Sequence, residues 1–240
     1  MPLAKKMSKV VFDIETVGID SADLDMDLQN YFFKKEDEKE EVIEKFALWP
    51  FTSQIVALSM LNPETGKGKT YFQAPAQSRT EQSSGSEQAP SEEIKPVIED
   101  GMEYQAMAEK EILENFWRDI KNYRQFITFN GRLFDCPYIM LRSAVLKVRP
   151  TKNLMPPRYN ATEHVDLLEQ LTFYGAFRKF SLNCYCKAMK LKSCKTDGMD
   201  GSKVGQYFKE KRYQEIARYC AADTRATAEL FEQWEKYVKI

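Results

Sequence analysis

The 240 residues contain no run of eighteen or more apolar residues, so no segment reads as a membrane-spanning helix. The N-terminus, Met1 to Lys9, carries three lysines but no apolar core, and no secretory signal peptide is expected there. An excess of one charge is also missing. With 35 Lys and Arg against 36 Asp and Glu, any nucleic-acid site has to come from local clustering rather than from global charge. The five cysteines, Cys136, Cys184, Cys186, Cys194 and Cys220, are an odd number for a disulfide framework. They are expected as reduced thiols in a cytoplasmic protein. Cys184, Cys186 and Cys194 with His164, the only histidine, would make a zinc set. Their Cys-x-Cys-x7-Cys spacing matches no common structural zinc pattern, however, and they are read as packed cysteines. What is present is ordinary for a globular chain: 43% hydrophobic and 30% charged residues, at a length that suits one well-packed domain over 1–240.

Lys9 to Glu15 (KVVFDIE) is a short apolar run interrupted by acids and predicts a central strand. Ser21 to Leu48 reads as helical and acidic, with a solvated charged face. Gln54 to Leu61 and Lys69 to Phe72 predict two strands of a hairpin, joined by the Pro- and Gly-containing turn at 62–68. Gln73 to Lys95 is rich in Ser, Gln, Glu, Ala and Pro and buries too little apolar surface to offset its ordering entropy. It is expected to be a flexible insertion at 73–95, not a domain boundary, because too few residues precede it to complete a core. From Tyr104 to Asn122, Met107, Ile112, Leu113, Phe116 and Ile120 recur at helical spacing. Gln125 to Phe129 predicts a strand, followed by a helix from near Pro137. Thr162 to Leu168 predicts another strand, and 181–189, 203–210 and 213–238 predict helices. This order gives an α/β domain, a mixed sheet covered by helices, without internal repeats.

Asp13 and Glu15 are two apart on a predicted strand and therefore share a face, with Phe12 and Ile14 on the other. Two neighbouring carboxylates oppose each other's ionisation, and a divalent cation removes that penalty. Read alone, the pair is equally a surface strand end with scattered acids. Asp135 stands at a strand-to-helix transition, where an Asp is commonly a helix cap. Tyr219 and Asp223 are four apart on a predicted helix and share a face; a core Tyr with a surface Asp is the simpler account.

Taken in order, FDIET at 12–16, FNGRLFDCPYI at 129–139 and YCAAD at 219–223 resemble the three motifs of DEDD-type 3′–5′ exonucleases, with tyrosine in the third. The second motif resembles that of the proofreading domains of family B DNA polymerases. The stretch at 195–231 is similar to the terminal region of stand-alone bacterial relatives of those domains. The resemblance spans nearly the whole chain apart from 73–95. It implies a ribonuclease-H-like fold, a mixed five- or six-stranded sheet flanked by helices, and a two-metal mechanism. Asp13, Glu15 and Asp223 would bind the first ion. Asp13 would bridge to a second, with Asp135 holding it directly or through water, and oxygen ligands suit Mg²⁺ or Mn²⁺. Tyr219 would orient the attacking water; where a related histidine class carries its histidine, this chain has Arg218. Thr16, Asn130 and Phe134 would line the pocket for the 3′-terminal nucleotide, although Phe134 is equally plausible as core. Asp166 would stand behind the site on a neighbouring strand.

Two segments are basic without a single acid. One holds Arg142, Lys147, Arg149, Lys152 and Arg158, and the other runs from Arg178 to Lys195 with Phe177, Phe180 and Tyr185 beside or within it. Together they are expected to form a channel for a nucleic-acid strand, the alternative being that the aromatics pack inward and the lysines only solubilise. DNA is favoured over RNA as the partner, since no feature reads a 2′-hydroxyl. A repair or replication protein is a possible further partner, and no membrane is expected. No polymerase-sized extension accompanies the motifs, so proofreading in cis is not expected. A nucleic-acid-binding scaffold without catalysis is the alternative from another class.

Overall fold

A computed structural model of the chain describes residues 8–34, 39–74, 96–191 and 199–239. The architecture is organised around strand β1 (Lys9–Gly18), whose alternation faces two different cores. Val10, Phe12 and Ile14 point into one hydrophobic cluster, and Val11 and Val17 into the other. Beside β1 run β2 (Ser53–Leu61), antiparallel, and β6 (Gln125–Thr128), parallel. With β3 (Gly68–Gln73), β4 (Val97–Glu99), β5 (Met102–Met107) and β7 (His164–Asp166) they form a mixed sheet of seven strands in the order β4-β5-β3-β2-β1-β6-β7.

Helices cover both faces. α3 (Glu109–Ile120) and α4 (Asp135–Val145) pack on the Phe12 face. The long α8 (Tyr213–Tyr237) packs on the opposite face, together with residues of α5 (Leu167–Leu171), α6 (Leu182–Ala188) and α7 (Val204–Lys209). The acidic stretch after β1 is not one long helix but short pieces, including α1 (Met26–Phe32), capped by the Asp25 side chain, and α2 (Lys39–Glu44). No residue of either helix is fully buried, which agrees with a solvated face. Among the described residues no helix is long and apolar enough to cross a membrane.

The hairpin of β2 and β3 forms as its turn signals predict. The sheet is larger than the expected five or six strands because of β4 and β5, and the helix expected from Tyr104 begins only at Glu109. In 102–107 the buried residues are Met102, Tyr104 and Met107, and the apolar residues of β5 merge by chance into the helical period of α3. The turn joining the two strands is Asp100-Gly101, with φ of 48° and 80°. A two-residue Asp-Gly turn of this hand is a hairpin signal that matches strand twist, and it outweighs the periodicity around it. The strand expected at 162–168 is shorter, because Asp166 caps α5 directly after it. Of the expected insertion, Gln73 ends β3 and Ala74 is buried; the remainder, 75–95, lies outside the described residues, as does Cys194.

Candidate active site

The site is assembled where β1 outruns β6. Their parallel pairing ends at Val11 with Ile127, so the next part of β1 has an unpaired edge on that side. The backbone N–H of Ile14 on this edge donates to Oδ1 of Asp135 at 3.1 Å. Asp135 is the first residue of α4 and is buried, and Phe134 occupies the cap position without a side-chain capping bond. Asp135 is therefore not the helix cap that an isolated reading makes it; its carboxylate reaches across to the strand carrying Asp13 and Glu15.

Asp13 and Glu15 share the face of β1 on which α8 lies, and the ladder with β2 shifts register immediately after Glu15. Such irregularities bend a strand and re-aim its side chains. On α8 the residues against the sheet include the small Ala217, Cys220, Ala221 and Thr224, all buried. They let the helix come close enough for Cys220 Sγ to donate to the Asp13 carbonyl at 3.5 Å and to approach its Oδ2 at 3.8 Å. One oxygen each of Asp13, Glu15 and Asp223 then lies within 4.8 Å of the others. Alternation on a strand places Asp13 with Glu15; that Asp223 meets them is what the family resemblance implies. The contact of Cys220 was not anticipated, since only the helix-to-sheet distance reveals it.

Electrostatically the four acids answer one another. Burial, followed by the charges of Asp135, Glu15 and Asp223, holds Asp13 well above the usual carboxylate range. Glu15 is raised likewise by burial and then by Asp223 and Asp135. Burial pushes Asp135 up to about 7, against the lowering effect of the Ile14 N–H, and Asp223 up to about 6, against the Tyr219 hydroxyl. Among the described residues no lysine or arginine forms an ion pair with them, and none is among the groups that act most on them. A partly buried cluster of acids with no counter-cation among the described residues fits a divalent ion, which would remove the repulsion and supply the missing charge. Tyr219 stands one turn before Asp223 on α8, and burial followed by the charges of Asp223 and Glu15 raises its phenol well above its ordinary value, so it stays protonated.

Asp166 faces backbone rather than the acids. It accepts from the N–H groups of Asn130 (3.0 Å), Arg132 (2.9 Å) and Leu168 (3.0 Å), tying the loop before Asp135 to the start of α5. Asn130 has φ of 63°, and a Cβ on Gly131 would meet the Thr128 side chain at 2.5 Å, so Asn-Gly suits this turn sterically. Arg132, not singled out from sequence, is buried and holds the loop through Glu169 (3.4 Å) and the Pro156 carbonyl (3.0 Å). Phe134 packs partly into the core beside Tyr138. Thr16 spends its hydroxyl on the Ala47 carbonyl at 2.6 Å.

The first basic segment is less free than expected. Arg142 forms a paired contact with Glu109 at 2.7 and 2.8 Å, Arg158 pairs with Glu169 at 2.7 Å, and Lys152 donates to the Tyr123 carbonyl at 2.9 Å. Lys147 and Arg149 are exposed. In the second segment Arg178, Lys179, Lys187 and Lys190 are exposed, while Lys192 and Lys195 lie outside the described residues. Arg218 pairs with Glu99 of β4 at 2.8 Å. His164 is buried against Thr128 and Phe126, Cys184 is exposed and Cys186 buried, and among the described residues the acids are the one metal-ligand group found.

A mixed sheet flanked by helices, with acids from a central strand and a crossing helix, defines an α/β protein of the ribonuclease-H-like type. The model of a family described as predicted 3′–5′ exonucleases related to the exonuclease domain of PolB matches residues 88–237, and the chain belongs to that family. The match includes Asp135, Asp166, Tyr219 and Asp223; Asp13 and Glu15 precede it. Among solved structures, the family B DNA polymerase of the hyperthermophilic archaeon Pyrobaculum calidifontis is similar in fold, with a TM-score of 0.60 at 15% identity. The similarity covers 95% of this chain and 24% of that one, so the chain spans about a quarter of the polymerase's length. No curated protein matches.

Proposed function

We propose that the chain removes nucleotides from the 3′ end of DNA that is single-stranded at that end, using two divalent ions, Mg²⁺ or Mn²⁺, with 1–240 acting as one exonuclease domain. The observation that carries this reading is the convergence of Asp13, Glu15 and Asp223, with Asp135 beside them, in a cluster that no described basic residue neutralises. Asp13, Glu15 and Asp223 would hold the first ion, and Asp13 with Asp135 the second. When bound, the ions would lower the pKa of a water and offset the charge that builds on the phosphate and the leaving 3′ oxygen.

The chain's own residues do the rest. The Asp135 carboxylate is fixed by the Ile14 N–H, which leaves its second oxygen for the site. Tyr219 stays protonated beside Asp223; its hydroxyl positions the attacking water as a hydrogen-bonding group rather than as a base. This makes the site tyrosine-type. Thr16, Asn130 and Phe134 border the place of the terminal nucleotide, and Asp166 supports it through the loop backbone. The free cysteines of the described residues suit a reducing, cytoplasmic setting. The test is degradation of 3′- and 5′-labelled DNA and RNA oligonucleotides with Mg²⁺, Mn²⁺ or chelator. A 5′-labelled DNA strand should shorten stepwise with either metal and persist in chelator; shortening in chelator contradicts the reading.

A further inference from the structure

Phe177 is 61% exposed, in a turn that holds it outward at a cost. The turn closes with the Phe177 N–H on the Thr172 carbonyl at 2.9 Å, and it runs through three consecutive left-handed residues, Phe173, Tyr174 and Gly175, with φ of 50°, 58° and 96°. Two of these are bulky aromatics, for which the left-handed region is strained. Tyr174 is held by the Tyr159 ring at 4.9 Å and by the Gln170 amide at 2.7 Å, whereas Phe173, like Phe177, is left exposed, at 62%.

From Phe177 a continuous path of rings leads inward. Phe177 lies 6.5 Å from Phe180, Phe180 lies 6.0 Å from Tyr185, and Tyr185 lies 6.0 Å from Phe129. Phe129 directly precedes the Asn130 turn that leads to Asp135. On its other side α6 packs against α8 through Cys186 and Ala226, less than one helical turn beyond Asp223. The path thus runs from the end of the strand that leads into the Asn130 turn and surfaces at Phe177. Its surroundings are positive: Arg178 stacks over the Phe180 ring at 5.1 Å, Lys179 is exposed, and no acid occurs from 177 to 191.

We propose that Phe177, flanked by Arg178 and Lys179, is a base-stacking platform for the single-stranded tail upstream of the 3′ end, so that the chain selects strands whose bases are unpaired over several nucleotides. The proposal rests on the exonuclease reading for the direction of the strand. Its chemistry is that of single-strand binding in general: exposed aromatics take base faces without regard to sequence, and the cations beside them take the phosphates. A duplex hides its base faces and gains nothing from Phe177.

The test is equilibrium binding, which is independent of catalysis. The full chain in chelator is titrated with a fluorescent oligodeoxyadenylate of about a dozen nucleotides, and with the same strand made abasic except at its 3′-terminal nucleotide. Phe177→Ala should weaken binding of the intact strand about tenfold, Phe177→Trp should stay within about twofold of the unsubstituted chain, and the abasic strand should not distinguish the three. Arg178→Ala should weaken both strands alike. Equal loss on both strands with Phe177→Ala, or no loss on the intact strand, overturns the platform. In the second case the patch is left to a protein partner. Absence of nuclease activity with these binding differences intact would sink the exonuclease reading and leave the platform standing.

Discussion

A buried carboxylate normally has a cation or several N–H groups to answer it. Asp135 has the Ile14 N–H; Asp13 and Glu15 are raised by burial and then by the acids around them, Asp135 and Asp223 acting on both. Asp223 carries a specific consequence for pH. Its folded-state value, about 6, lies above the ordinary value of 3.8, so the stability it contributes is present at low pH and is lost as pH rises through about 6. In chelator at about pH 8, Asp223→Asn should therefore raise Tm by a few degrees, a gain roughly halved at about pH 5 and gone only below the ordinary value of 3.8. The same substitution should abolish most activity and shrink the Tm rise that Mn²⁺ gives the unsubstituted chain; thermal melts with and without the ion read all of this. Tyr219→Phe removes the hydroxyl but keeps the ring, and should lower the rate by about ten- to a hundredfold. Because burial and the acids hold the phenol protonated, the loss should be uniform across a pH–rate profile from about 7 to about 9. A loss that changes with pH in that range would make Tyr219 a base. At this scale the sequence was informative about Asp13, Glu15, Tyr219 and Asp223, whose spacing alone places each pair on one face. It was silent about Cys220, because nothing local tells how closely a helix approaches a sheet.

Among the elements, the loop from Thr128 to Asp135 decides whether the fourth acid arrives. Its backbone is held by Asp166, which accepts three N–H bonds of 3.0 Å or shorter from two separate segments. Asp166→Ala leaves those donors without their acceptor in a buried place and should cost about 3 kcal/mol or more, read as the urea midpoint, with activity falling as the loop loosens. The strand pair β6–β7 carries a second consequence. His164 is 2% exposed between Thr128 and Phe126, and burial with the nearby Arg132 guanidinium lowers it to about 3. The unfolded chain takes up the proton near 6.5, so stability from this group is complete above that value and is lost as pH falls from about 6.5 toward about 3. Urea unfolding at about pH 7 and about pH 5 should differ by about 2 kcal/mol from this group, and His164→Gln should remove that difference. Elements were legible where one period governed a segment, as in β1, β2, β3 and α8. They were misread at 102–107, where the alternation of β5 ran into the helical period of α3. The two-residue Asp100-Gly101 turn is the signal that separates the two periods there. The hairpin it makes is gripped from α8 by Arg218 and Arg225, contacts between residues more than a hundred positions apart that no local pattern announces.

For the molecule as a whole, the α/β class and the relation to polymerase-type exonucleases were legible because three motifs in order survive where overall similarity is low. The polymerase of similar fold shares only 15% identity. The path of the strand was less legible, since charge in a sequence does not reveal its partner: Arg142 and Arg158 read as phosphate ligands but serve Glu109 and Glu169. The central claim is that the acids on β1 and α8 run a metal-dependent attack from the 3′ end. The most direct measurement is single-turnover hydrolysis of a 5′-labelled single-stranded DNA by the purified chain and its Asp13→Ala variant, each with Mn²⁺ and with chelator. A ladder descending from the 3′ end is expected for the unsubstituted chain with Mn²⁺ alone, and a rate at least about a hundredfold lower for Asp13→Ala. Equal hydrolysis by both proteins, or loss of the 5′ label as the first product, would contradict it.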